Sequence, residues 1–158
     1  MKHTAFCALS NSQQIALDEA QRALEHAYSP YSHFCVGACL YNLSGLYISG
    51  SNFENAAYGS TICAERSAVL RANAMGIRKF CGIAIIARGE NFDTTEITGP
   101  CGSCRQVLYE VSQISSCDLE VVLATSRKDT VVLTTISELL PLAFGPIDLG
   151  VDITRFQK

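Results

Sequence analysis

The chain has 158 residues, 48% of them hydrophobic, and a formal net charge of -3; that is the size and apolar content of one globular domain, without the positive field that holds a polyanionic strand, so nucleic acid is excluded as the expected partner. Eight cysteines would suggest disulfides in a small secreted protein, but MKHTAFCALSNSQQ contains no apolar run of signal-peptide length, so free thiols in a reducing cytoplasm are expected. Nothing approaches the run of about eighteen apolar residues that spans a membrane, which excludes a membrane partner.

A single domain is expected over residues 1–158, with 1–10 a flexible N-terminal segment and 147–158 a C-terminal tail. From about Ser12 to Tyr28, Ala16, Ala20, Ala23, Leu24 and Ala27 recur at steps of three and four, which predicts an amphipathic helix ended by Pro30. Phe34 to Tyr41 and Leu46 to Ser49 flank Asn42-Leu43-Ser44-Gly45 and read as a hairpin. A second helix is predicted from about Ile62 to Ala74, with Gly76 as its C-terminal glycine. Cys81 to Ala87 reads as a buried strand, Pro100 to about Ser112 as a third helix, and Leu119 to Ala124 as another strand. The link Thr125 to Asp129 is too short for a parallel crossover, so the last strand, Thr130 to Thr134, is expected antiparallel. The fold class is therefore α/β, three layers with a mixed sheet of about five strands.

Chemistry concentrates at two predicted helix starts, Cys63-Ala64-Glu65 and Pro100-Cys101-Gly102-Ser103-Cys104. The C-x-x-C pair aims two sulfurs at one tetrahedral ion, and a thiolate from the other helix leaves the fourth position open, an arrangement suited to catalysis. Unpaired N–H groups and the positive dipole ends at helix starts favour thiolates. Three thiolates on Zn²⁺ leave a net charge of -1, which Arg66 is placed to offset by hydrogen-bonding the sulfurs. Residues two apart do not share a helix face, so Cys63 and Glu65 enter one cavity only if Cys63 sits at the non-helical lip of its helix. The set has the three-cysteine form of the zinc-deaminase pattern, in which the glutamate does not bind the metal but takes a proton from water, passes it to the ring nitrogen, and finally delivers a proton to the departing amine.

Four segments in order, SPYSHFCVGA (29–38), NFENAAYGSTICAER (52–66), GPCGSCRQV (99–107) and ELLPLAFGP (138–146), give the chain a resemblance to the small homotetrameric cytidine deaminases over nearly its whole length. The resemblance implies hydrolytic deamination of cytidine and 2′-deoxycytidine with zinc as cofactor. It also implies that Asn52 and Glu54 bind the ribose 3′-hydroxyl, that the backbone at Ala56 and Tyr58 meets the sugar of a neighbouring site, and that Phe34 lies against the base. The N–H of Ala64 would contact the base carbonyl, and Phe144 would reach across to the base at another subunit. Cys35 stands where relatives often carry proline, and Ser103 where alanine is common.

Cys35 and Cys39 share one strand face and are expected in the core. Cys7, Cys81 and Cys117 have no ligand partner at the right spacing, and His3, His26 and His33 are expected to be ordinary surface or core residues. A polynucleotide-editing activity is disfavoured because the Glu54 carboxylate would repel a 3′-phosphate. A purely structural zinc site would need no Glu65.

Overall fold

The computed structural model describes residues 1–157, arranged as a six-stranded mixed sheet with helices on both faces. In chain order the elements are β1 (Lys2–Thr4), α1 (Asn11–Leu24), β2 (Phe34–Tyr41), β3 (Tyr47–Ser51), α2 (Ala64–Ala74), β4 (Gly82–Gly89), α3 (Gly102–Ser115), β5 (Glu120–Ala124), β6 (Val131–Thr135) and α4 (Ile136–Leu139). The strand order is β1-β6-β5-β4-β2-β3. Only β4 and β5 run parallel, with α3 as their crossover, and β6 lies antiparallel to β5 as its short link requires.

The expectation of five strands is corrected to six. Lys2–Thr4, in the segment expected to be flexible, pairs with Val131–Leu133, and the Met1 ammonium sits 2.8 Å from Glu138 Oε1. Its residues are polar and mostly exposed, so the edge strand has no hydrophobic signature; backbone pairing alone places it. In the tail, Pro146–Leu149 and Thr154–Phe156 form 3-10 turns, and Gln157 bonds Ser116 Oγ at 2.8 Å; Lys158 lies outside the described residues.

A capping box starts α1, with Ser10 Oγ accepting from the Gln13 N–H and Gln13 Oε1 from the Ser10 N–H. The helix stops at Leu24 rather than Tyr28, because the Tyr28 N–H donates to Asn52 O at 3.0 Å and Tyr28 O accepts from the Glu54 N–H at 2.8 Å. On one sheet face α1 packs with Cys39, Ala84, Ile86 and Val122; on the other, α2 and α3 pack with Ala38, Leu40, Ile83, Ile85 and Val121. Alternation along each strand feeds both cores, which is why β4 reads as a continuous apolar run.

Two glycines set the helix approach. A Cβ on Gly37 would lie 1.9 Å from Ala20 O in α1, and one on Gly50 would lie 2.4 Å from Ala68 N in α2. Both helices therefore press their backbones onto the hairpin, and the Gly50 contact fixes the first turn of α2 against the sheet.

Candidate metal and nucleoside site

Cys63 is the N-cap of α2, with extended backbone at φ -70 and ψ 156, and Cys101 is the N-cap of α3, at φ -65 and ψ 166. Cys63 thus sits at the non-helical lip of its helix, near enough for its charge to act on the Glu65 carboxyl. Neither N-cap side chain caps the backbone of its own helix; each carbonyl instead accepts the first intrahelical bond, from Ser67 N at 3.0 Å and Arg105 N at 2.9 Å. The thiols make no cap to the helix backbone and lie beside the positive ends of two helices.

The Sγ atoms of Cys63, Cys101 and Cys104 lie within 4.8 Å of one another, and Cys63 and Cys101 are 4.0 Å apart. Two sulfurs on one tetrahedral zinc stand about 3.8 Å apart, so the thiol set fits that ion with small adjustment. Arg66 Nη2 donates to Thr61 O at 2.9 Å and approaches Cys63 Sγ at 3.7 Å. Hydrogen bonds from Cys104 first, then from Arg66 and Cys101, hold the Cys63 thiol well below its usual range; Cys104, on the donating side, is pushed up. Arg66 is thus the cationic partner of the Cys63 sulfur.

Glu65, in the first turn of α2, is buried and is not a member of the thiol cluster. Burial raises its carboxyl above the ordinary value, and the Cys63 charge pushes the same way. A carboxyl moved upward beside a metal site suits a group that both takes and gives a proton.

Short bridges join the loop after β3 to the start of α2. The N–H of Phe53 donates to Ile62 O at 2.9 Å and the N–H of Ile62 donates back at 3.0 Å, so Glu54 is held close to the residue that precedes Cys63. These bridges also delay α2 to Ala64, two residues after the sequence-based start. Tyr28 stacks on Phe53 at 4.9 Å, backing the loop.

Glu54 Oε2 accepts from the N–H groups of Tyr31 at 2.9 Å and Ser32 at 3.2 Å, while Oε1 takes the Ser32 hydroxyl. These bonds, the hydroxyl first, hold its carboxyl below the usual range. Tyr31, Ser32, Glu54, Tyr58 and Thr61 line a cleft of about 400 Å³. Asn52 is used differently from a plain sugar ligand: its Oδ1 accepts from Val36 N at 2.8 Å and its Nδ2 donates to Phe34 O at 2.9 Å. The amide stands in for a peptide group where β3 ends at Ser51, extending its ladder to β2 while the main chain turns toward Tyr28.

Of the remaining sequence candidates, half-buried Phe34 opens β2, opposite Gly89 of β4. Ala64 is the first residue of α2, buried, with its N–H among the unpaired donors of the first turn. Ala56 and Tyr58 lie on the exposed loop before α2, Tyr58 edge-on to Tyr31 at 5.8 Å. Phe144 is 61% exposed and lines neither the thiol cluster nor the Glu54 cleft. Ser32 was missed as a partner of Glu54, although its hydroxyl lies in the SPYS segment, two residues before Phe34. All eight cysteines are free, and Cys39 is buried and Cys35 partly buried on one face, as expected. No described helix is long and apolar enough to cross a membrane.

The family model for the cytidine and deoxycytidylate deaminase zinc-binding region matches residues 10–119, a stretch that holds the three thiols, Glu65, Arg66 and the Asn52–Glu54 loop. The chain belongs to this family. A cytidine deaminase of Halalkalibacterium halodurans is 43% identical over 87% of this chain and 98% of its own length, and one of Sporosarcina psychrophila is 42% identical over 84% and 90%. The crystal structure of a cytidine deaminase from Burkholderia pseudomallei, 40% identical, superposes with a TM-score of 0.74 over 86% of this chain and the whole of that one. Zinc is the ion that the family's binding region takes, and Cys63, Cys101 and Cys104 are the donors that fit it.

Proposed function

We propose that the chain hydrolyses the 4-amino group of cytidine and 2′-deoxycytidine, giving uridine or 2′-deoxyuridine and ammonia, a reaction of pyrimidine salvage. The observation that carries this reading is the buried Glu65 carboxyl beside a cluster of three thiols that it does not join. Held by Cys63, Cys101 and Cys104, zinc supplies a water of lowered pKa. Glu65 takes a proton from the attacking water and delivers it to the ring nitrogen, then takes the remaining proton of the added hydroxyl and delivers it to the amine, which leaves as ammonia. The Ala64 N–H orients the base carbonyl, Phe34 packs on the base, and Arg66 draws charge off Cys63. Glu54, already ionised and held by Ser32, accepts from the 3′-hydroxyl, with Asn52 beside it, and its charge turns away a 3′-phosphate.

The assembly in this reading is a homotetramer with shared sites, in which Ala56 and Tyr58 meet a neighbour's sugar and Phe144 its base. It is supported by the exposed aromatics at these positions, Tyr58 at 75% and Phe144 at 61%. The free thiols fit a cytoplasmic setting. The test is ammonia release from cytidine by purified protein. Activity abolished by a strong chelator and restored by zinc is the expected result, and an inactive zinc-loaded tetramer would overturn the reading.

A further inference from the structure

Three side chains of α3 grip the segment that carries Phe144. The guanidinium of Arg105, the residue after Cys104, donates from Nε to Pro100 O at 2.8 Å and from Nη1 to Leu139 O at 3.0 Å, joining the residue before Cys101 to the end of α4. Gln106 Nε2 donates to the carbonyl of Phe144 itself at 2.8 Å. Tyr109, one turn after Arg105, lies so near Gly145 that a Cβ there would stand 2.5 Å from the ring.

Between these anchors the chain bulges into solvent: Leu142 is fully exposed with a left-handed φ of 55, and Phe144 follows two residues later. Such a bulge has little packing of its own to choose a direction. A bonded carbonyl fixes the plane of its peptide and so limits where the Phe144 side chain can leave the backbone. The backbone that carries that ring is therefore tied to α3, the helix whose N-cap and first turn also hold two of the thiols.

We propose that Gln106, assisted by Arg105, is a positioning residue that holds Phe144 at the height of the metal-bearing end of α3, so that loss of the Gln106 bond weakens base binding at a neighbouring subunit's site rather than at its own. The inference rests on the reading above that Phe144 is given to a neighbour. It goes beyond that reading in assigning Gln106 a role and in assigning its effect to a different chain from the one that carries it.

The test uses Gln106→Met, which removes the donor while keeping side-chain length and helix preference. The zinc-loaded tetramer of this variant should keep its zinc content and a kcat within about twofold, and raise KM for cytidine about fivefold, the scale of a lost aromatic contact. A role confined to the structure of α3 would instead move zinc content or kcat.

Mixed tetramers assign the effect between chains. Gln106→Met chains diluted into an excess of Glu65→Ala chains, which turn nothing over but carry an intact Gln106 and Phe144, should recover the parental KM. Parental chains diluted into an excess of Glu65→Ala/Gln106→Met chains should acquire the raised KM. The reverse pattern, or an unchanged KM in the variant homotetramer, overturns the proposal. An excess of Glu65→Ala/Phe144→Ala chains separates the two levels of the argument. A parental KM there overturns the sharing of Phe144 and the proposal with it, whereas a raised KM there beside a parental KM with the Gln106 partner chains overturns the proposal alone.

Discussion

Replacing Asn52 with alanine removes two hydrogen bonds at the end of β2 and leaves Val36 N–H and Phe34 C=O without the amide that now meets them at 2.8 and 2.9 Å. Asn52 is buried, so the Val36 donor is stranded and costs about 1–3 kcal/mol. The Phe34 carbonyl opens the strand, where water can replace the partner, and costs about 0.5–1 kcal/mol. The sum, about 1.5–4 kcal/mol, is a large part of the stability of an ordinary domain. In urea it corresponds to a fall in midpoint on the order of 1–2 M. The measurement is urea unfolding of parent and variant at one protein and zinc concentration, since assembly and metal both add to apparent stability. Because Phe34 and the Glu54 loop are both tied to Asn52, KM for cytidine should rise while zinc content holds. A midpoint within about 0.2 M of the parent's would refute the role of the amide as a clamp on β2.

Glu65→Ala should retain zinc and assembly and lose turnover; activity within about tenfold of the parent would remove Glu65 from proton transfer. Arg66→Gln should fold, bind zinc and react more slowly, with its pH–rate profile moved to higher pH, because Cys63 loses its cationic partner and the metal site keeps more negative charge. An unchanged profile would leave the helix termini as the only source of neutralisation. For Glu54 the sign follows from a carboxyl held below its usual range, chiefly by the Ser32 hydroxyl. Its ionised form, and the nucleoside affinity that depends on it, should persist from about pH 7 down to about pH 4.5 and fall only below that. Glu54→Gln should bind free nucleoside more weakly, lose that acid limb and reject a 3′-phosphorylated nucleoside less; equal affinity in variant and parent would take Glu54 out of the sugar site.

The metal donors were legible because cysteine spacing is a local property. C-x-x-C at a helix start aims two sulfurs one way whatever surrounds it, and a third cysteine two residues before a glutamate completes the set. Most helices and strands were legible for the same reason, since the recurrence of Ala16, Ala20 and Leu24 and the apolar run of β4 both report burial. The strand Lys2–Thr4 was not, because an exposed polar edge held by backbone pairing has no side-chain pattern to read. Nor was the end of α1 at Leu24, where Tyr28 is taken by Asn52 and Glu54 from another part of the chain.

By itself, then, the sequence singled out the groups to which the proposed chemistry is assigned, through short-range order: the thiols, the neighbouring Glu65, and Arg66 one residue on. The tertiary structure decided how the other groups are used, because that depends on backbone atoms distant in the chain. It turned Asn52 into a substitute peptide at the end of a sheet, gave Glu54 to Ser32 and the Tyr31 N–H, and tied the Phe144 carbonyl to Gln106, 38 residues away. Hydrogen-bond donors and acceptors look alike in any sequence, and which of them meet is settled only when the helices close onto the sheet.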